Sequence, residues 1–342
     1  MKPILVIALL YLCAVGLFVV GRTYDAADGE LSGSASTRPI VLKGATQFDE
    51  NHVFTRTIRK FEELVKRYYG GPVEFELYLN SELGLEKDYF AYMSLGVAID
   101  YAIVSPSHMS TFSPAAPLMD VPFLFKDIDH WNRVLESDAL DPIAREVAET
   151  ADVRLIGYAG GGVRNVIAKR PVTSLHELNG LTIRVMGAPI QTSIFQAIGA
   201  SPTVIAYSEV YNAIQTGVID AAENEAAGNR QMKFYEVGPE ICLTQHAITV
   251  RPLCFAGKSF RRLPEKLQQA IVRAGREAGA YGRMLESTED SAILSRLEQE
   301  GKLRVHDFTD RSQLLQLAAP VKAAYAQAIH AQDVLARIEA IP

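Results

Sequence analysis

Two arginines, an asparagine and a tyrosine between positions 164 and 224 have the side chains needed to grip a small organic acid. Arg184 sits in a short predicted strand, 181–185. There Thr182 and Arg184 share one face and Ile183 and Val185 the other. A guanidinium at such a place is a planar, permanently charged fork that matches a carboxylate. The same residue equally suits a structural ion pair with a surface glutamate. Arg164 follows Gly160-Gly161-Gly162 and is open to both readings. Asn224 can donate and accept, which suits a hydroxylated acid. Its neighbours Glu223 and Glu225 read as solvated or ion-paired. Tyr207 reads either as an apolar wall with a polar tip or as a core residue.

Patterns that would turn these residues to catalysis are missing. Gly160-Gly161-Gly162 follows a strand, but no G-x-G-x-x-G is present and the next residues are β-like. Gly257-Lys258-Ser259 resembles the end of a phosphate loop without its earlier glycine. No G-x-S-x-G elbow occurs. The histidines, at 52, 108, 130, 176, 246, 306 and 330, show no metal-ligand spacing, and His130 and His176 read as helix-surface residues. Recognition without chemistry remains: a binding protein, not an enzyme, with no cofactor and no metal.

The elements that must position these residues follow from periodicity. The segment 179–225 reads as β-α-turn-α-β. One helix starts at Pro189 and stops at Gly199. A second is capped by Ser208 and stops at Gly217, and a final strand, 218–222, runs into a polar end. Upstream, strands 40–45, 73–78 and 98–104 alternate with helices 53–69 and 86–95, the start of a doubly wound sheet. Helices 127–136 and 142–150 follow, and Trp131 reads as helix packing. The run 153–159, through the three glycines into 165–168, looks like a crossover between two domains. Segments 241–248 and 252–257 read as a hairpin. A long helix over 264–297, a strand at 303–306 and helical sequence over 313–338 complete the chain.

At 342 residues the chain is long enough for two domains. A net charge of −6 with no basic run argues against nucleic acid. Residues 4–20 are almost wholly apolar, after Lys2 and before Arg22 and several acids. They read as an export signal peptide or an uncleaved anchor, followed by a flexible tether at 29–37. Either way the body lies outside the cytoplasm. Three cysteines are too few for a disulfide scaffold. The hairpin reading allows a bridge between Cys242 and Cys254, or two buried free thiols.

Several blocks have a familiar order and spacing: LYLNSELG (77–84), DVPFLFKD (120–127), LHELNGLTIRV (175–185), GASPTVIAYSEVYNAIQTGVIDAAEN (199–224) and FRRLPEKLQQAIVRA (260–274). Together they resemble the DctP-type solute-binding proteins of tripartite ATP-independent periplasmic (TRAP) transporters, from about residue 40 to near the C-terminus. The resemblance implies a periplasmic-binding-protein-like α/β fold. Two α/β domains would be joined by a crossing strand pair and a long C-terminal helix spanning both. On that reading residues 1–38 are the signal or anchor with its tether, domain I is 39–161 with 248–289, and domain II is 162–247 with 290–342.

The resemblance also implies an organic-acid ligand, a periplasmic monomer, and the small and large membrane permease subunits as partners. It makes Arg184 the carboxylate clamp and adds Arg164, Tyr207 and Asn224, with Glu86 and Gln47 from the first domain. Met186, Ala221 and Glu225 stand where the family usually has proline, glycine and proline. The alternative is a membrane-tethered sensor of the same fold that feeds a receptor.

Overall fold

The computed structural model describes residues 38–342. The expected export segment and the tether at 29–37 lie outside the described residues. The described residues build one nine-stranded mixed sheet flanked by helices. Its strands are β1 (Ile40–Ala45), β2 (Val73–Tyr78), β3 (Tyr101–Ile103), β4 (Val153–Ala168), β5 (Thr182–Val185), β6 (Ser201–Val204), β7 (Ala221–Asn224), β8 (Glu240–Ala256) and β9 (Arg304–Asp307). The order is β2-β1-β3-β8-β4-β7-β5-β6, with β9 beside β8.

Local signals set most of the elements. The helix Val53–Tyr69 starts at His52, whose Nδ1 accepts from the Phe54 amide at 3.2 Å, and stops at Gly70 with φ 64°. The helix Glu86–Leu95 stops at Gly96 in the same left-handed conformation. Side chains alternate across the sheet. Leu42, Tyr101, Ile167 and Phe255 therefore join the core on one face, and Ala45, Ala102, Val166 and Cys254 the core on the other. Trp131 is fully buried in the second of these.

Two long strands organise the sheet. β4 and β8 run antiparallel along nearly their whole length, with register shifts between Leu155 and Gly157, Gly160 and Val163, and Arg164 and Val166. β3 pairs with the C-terminal end of β8, at Leu253–Phe255, and β7 with the C-terminal end of β4, at Asn165–Ala168. Both pairings are antiparallel. The parallel group β1–β3 and the parallel group β5–β7 therefore approach from opposite ends of the long pair. Both point their carboxyl ends at its middle.

The helix Glu265–Gln299 lies along β4 and against the helix Val53–Tyr69. It approaches β4 closely because glycines line the contact. A Cβ on Gly279 would stand 2.7 Å from the Tyr158 backbone, and one on Gly275 would stand 2.5 Å from the Ile156 carbonyl.

The structure corrects several expectations. The expected hairpin at 241–257 is one strand, β8, paired with β3, β4 and β9 in turn. Cys242 and Cys254 sit toward opposite ends of it, on the order of 40 Å apart at about 3.3 Å per residue. A disulfide needs Cα atoms within about 7 Å, and both thiols are free and buried. The run 153–168, expected to pass through the glycines from one domain to the other, is continuous as β4. The turn expected after Gly199 contains β6, which as an exposed edge tolerates Pro202. Ser208 caps nothing; it lies in a 3-10 turn, Tyr207–Glu209, before the helix Val210–Thr216. The last strand of the unit begins at Ala221 and so includes Glu223 and Asn224. His130 is buried, not on a surface: its Nδ1 accepts from the Lys126 amide and its Nε2 lies 2.9 Å from the Ile338 carbonyl.

Two measurements test this packing. Burial pushes the Cys242 thiol up to about 11 and lifts that of Cys254 well above its ordinary value. Alkylation mapped by mass spectrometry is expected to label both only after denaturation, and reductant is expected to leave the melting temperature unchanged. Gly279→Ala is expected to cost about 1–3 kcal/mol in urea unfolding, because strand backbone occupies the space of the new methyl group.

Candidate functional site

The convergence of the two parallel groups produces a small cavity at the middle of the sheet. All six residues expected at the site line it. Gln47 lies just past β1, and Glu86 opens its helix. Arg164 comes from the middle of β4, Arg184 and Asn224 from the carboxyl ends of β5 and β7, and Tyr207 from the turn after β6. Ligands of open α/β sheets sit at such strand ends.

Arg184 is 4% exposed. Its register with Ala222 puts it on the same sheet face as Asn224, two residues further along β7. The guanidinium donates from Nε to the Ile205 carbonyl at 3.0 Å and lies 5.6 Å from the centre of the Tyr207 ring. No carboxylate stands within ion-pair distance of it among the described residues, so the structural ion pair is not formed. Burial pulls this guanidinium below its ordinary pKa; Glu223 opposes the pull and Arg164 adds to it. The charge is thus held in place and left uncompensated.

Arg164 is the opposite case. Its Nε meets Glu223 Oε2 at 2.5 Å, its Nη1 meets Glu225, and its Nη2 donates to the Glu223 carbonyl at 2.8 Å. Burial disfavours the charge, but Glu223 and Glu225 outweigh it and raise the pKa. Glu223, though buried, is driven down to about 2 by Arg164 together with His246, whose Nε2 lies 3.2 Å from Oε2. Of the two readings of these glutamates, ion pairing holds and solvation does not. Three of the five N–H bonds of Arg164 are therefore already engaged.

The other wall is built from the β1–β3 side. Glu86, 3% exposed, accepts from Gln47 Nε2 at 3.2 Å and from the Ser105 amide at 2.6 Å. Burial raises its pKa, and Arg251 offsets part of the rise. His108, with Nδ1 4.0 Å from Glu86, is pushed down to about 3 by burial and by the charges of Arg184 and Arg251, so it is neutral. Asn224 Nδ2 donates to the Tyr207 hydroxyl at 2.9 Å. Tyr207 also meets Phe48 edge-on, with ring centres 6.2 Å apart. It serves as wall and as hydrogen-bond partner together. The cavity thus offers Arg184 as a cation without an ion-pair partner among the described residues, acceptors on the opposing wall, and an aromatic side.

Sequence reasoning missed Arg251, His108, Ser105 and Phe48, all of which line the cavity. The signal for Arg251 was present, since a lone arginine inside an apolar run is costly to bury. The hairpin reading hid it by treating that position as a turn. His108, Ser105 and Phe48 carried no local signal, because each depends on where its loop closes.

The chain as a whole is similar to known solute-binding proteins. The family model for bacterial extracellular solute-binding proteins, family 7 (DctP), matches residues 44–330. A solute-binding protein of Sulfitobacter sp. (strain NAS-14.1) is 54% identical over 300 residues, 88% of this chain and 91% of its own length. One from Roseobacter denitrificans is 33% identical over 266 residues, 77% of this chain and 81% of its own. A crystal structure of a TRAP periplasmic solute-binding protein from Sulfitobacter sp. NAS-14.1, with bound α-D-taluronate, has a TM-score of 0.87 at 54% identity and covers 88% of this chain and 97% of that one. Another from Roseobacter denitrificans, with bound β-D-glucuronate, has a TM-score of 0.82 at 26% identity and covers 88% and 100%. The chain belongs to bacterial extracellular solute-binding protein family 7, the DctP family, and is a TRAP-transporter solute-binding protein, not an enzyme.

Proposed function

We propose that this protein captures a hexuronate, a six-carbon sugar acid with one carboxylate, and hands it to the TRAP permease in the membrane. One observation carries the reading: a buried, unpaired Arg184 opens onto a cavity whose opposing wall holds acidic and neutral acceptors. A single carboxylate completes Arg184. A second carboxylate would meet Glu86 and Glu225, so hydroxyls suit the rest of the cavity better. The sugar acids bound to the Sulfitobacter and Roseobacter proteins point the same way.

In this reading Asn224 and Tyr207 flank the carboxylate, while Gln47 and Glu86 read hydroxyls. Arg164 contributes its remaining donors and holds the floor of the cavity in place. Two lobes, 39–161 with 248–289 and 162–247 with 290–342, close over the ligand. The proposed boundary is supported by the register shift at Gly160–Val163, by Gly160 and Gly161 at φ 115° and 119°, and by its position where β4 and β8 pass the cavity. Closure excludes water and strengthens the ion pair. In this reading the protein works in the periplasm as a monomer. The comparisons give a membrane-tethered receptor module no support, since the relatives they match are solute-binding proteins; no helix among the described residues is long and apolar enough to cross a membrane, and the expected anchor at 4–20 lies outside those residues.

Thermal shift and calorimetry with D-glucuronate and D-galacturonate test the proposal. Wild-type protein is expected to be stabilised by at least one of them, and Arg184→Gln to lose about 2–5 kcal/mol of binding free energy. The unliganded variant is expected to melt no lower than wild type, because an uncompensated buried charge has been removed. Persistent stabilisation of the variant would remove Arg184 as the clamp. Binding of a C4-dicarboxylate in place of both hexuronates would overturn the ligand class and leave the clamp standing.

A further inference from the structure

Arg251 lies in the middle of β8, paired in register with Ala159 of β4, and is 4% exposed. Its guanidinium rests 5.2 Å from the centre of the Phe54 ring. Nη2 stands 3.9 Å from Glu225 Oε2, too far for a hydrogen bond. Nε and Nη1 are screened from solvent and have no hydrogen-bond partner among the described residues. Three N–H bonds of a buried cation are thus unused. Three nearby acids are occupied elsewhere: Glu225 by Arg164, Glu86 by Gln47 and the Ser105 amide, and Asp120 Oδ2 by the Ser105 and Ser107 hydroxyls. A fourth, Glu286, feels the charge of Arg251 but forms no ion pair with it among the described residues, and burial lifts its pKa well above the ordinary carboxylate value. The first three acids hold charge on Arg251 without satisfying its donors. Native interiors seldom leave such donors unpaired, and these line the same cavity as Arg184.

We propose that Arg251 is a ligand-binding residue that donates to uncharged oxygens of the sugar acid, at the part of the molecule away from the carboxylate. This deepens the hexuronate reading and rests on it. A hydroxyl both donates and accepts. Arg251 supplies the donors, and the spare lone pairs of Glu86 the acceptor. A second carboxylate there would gain Arg251 but face Glu86, Glu225 and Asp120. The Arg251 end therefore selects polyhydroxylated monoacids over diacids. Arg184 comes from β5 and Arg251 from β8, strands separated by β4 and β7. A ligand long enough to reach both is gripped at once by β8, in the middle of the sheet, and by β5, three strands further along it.

The test is calorimetry on Arg251→Gln and Arg251→Lys. The probes are whichever of D-glucuronate and D-galacturonate the wild type binds more tightly, together with D-glycerate, which keeps the acid end and lacks the distal oxygens. Arg251→Gln is expected to weaken hexuronate binding about 10- to 100-fold and to leave D-glycerate unchanged. Arg251→Lys keeps the charge beside Glu225. It is expected to match the unliganded melting temperature of wild type while still losing hexuronate affinity at least about tenfold. Unchanged hexuronate binding in Arg251→Gln, or equal weakening of both acids, would overturn the assignment. So would full recovery of affinity in the lysine variant, which decides the matter even when D-glycerate binds too weakly to measure. A wild type that bound neither hexuronate would bring down the proposed function itself, an outcome separate from these.

Discussion

Arg164 lies between Glu223 and Glu225 at the centre of the sheet, and the site depends on that arrangement. The three charges are buried where two parallel groups of strands meet. Removing one partner from such a pair leaves an uncompensated charge and costs about 3–5 kcal/mol. The network therefore holds the middle of β4 to the end of β7. By drawing both glutamates toward Arg164 it also keeps them from pairing fully with Arg184 or Arg251. Glu225 approaches Arg251 only at 3.9 Å. The floor of the cavity is a closed network of one guanidinium and two carboxylates, while the guanidiniums of Arg184 and Arg251 remain available.

The geometry of the sheet explains why the cavity forms there. In an ordinary doubly wound sheet one set of parallel strands points its carboxyl ends at one edge. Here two such sets are joined through a long antiparallel pair, so their carboxyl ends face each other. Residues far apart in the chain, such as Gln47, Glu86, Arg184 and Asn224, then share one small space. The long helix secures the arrangement from outside. Its glycines let it lie against the backbone of β4 close to the point where both groups converge.

Much of this was legible in the sequence wherever a signal was short-range. The helix at 53–69 announced itself by apolar spacing and by Gly70, the helix at 86–95 by its stop at Gly96, β1 by a short apolar run and β2 by alternation. Reading failed where an element's identity depends on its partners. The apolar runs around Cys242 and Cys254 have the look of two strands. They become one strand because β9, β4 and β3 pair along successive parts of it. That error removed Arg251 from consideration and suggested a disulfide that the fold forbids. Ser201–Val204 is a strand only because β5 lies beside it, and its exposed side chains carry no apolar signature.

The sequence by itself determined the family, the local elements and the short list of residues able to bind an acid, since these follow from residue type and from spacing within one or two turns or strands. Only the tertiary structure decided which arginine was free. By residue type Arg164 and Arg184 are open to the same two readings, and only the family resemblance singled out Arg184 as the clamp. The glutamates that occupy Arg164 lie 59 and 61 residues further along the chain and reach it only because β7 pairs with β4. Burial and ion pairing are properties of neighbours in space, and a sequence records neighbours along the chain.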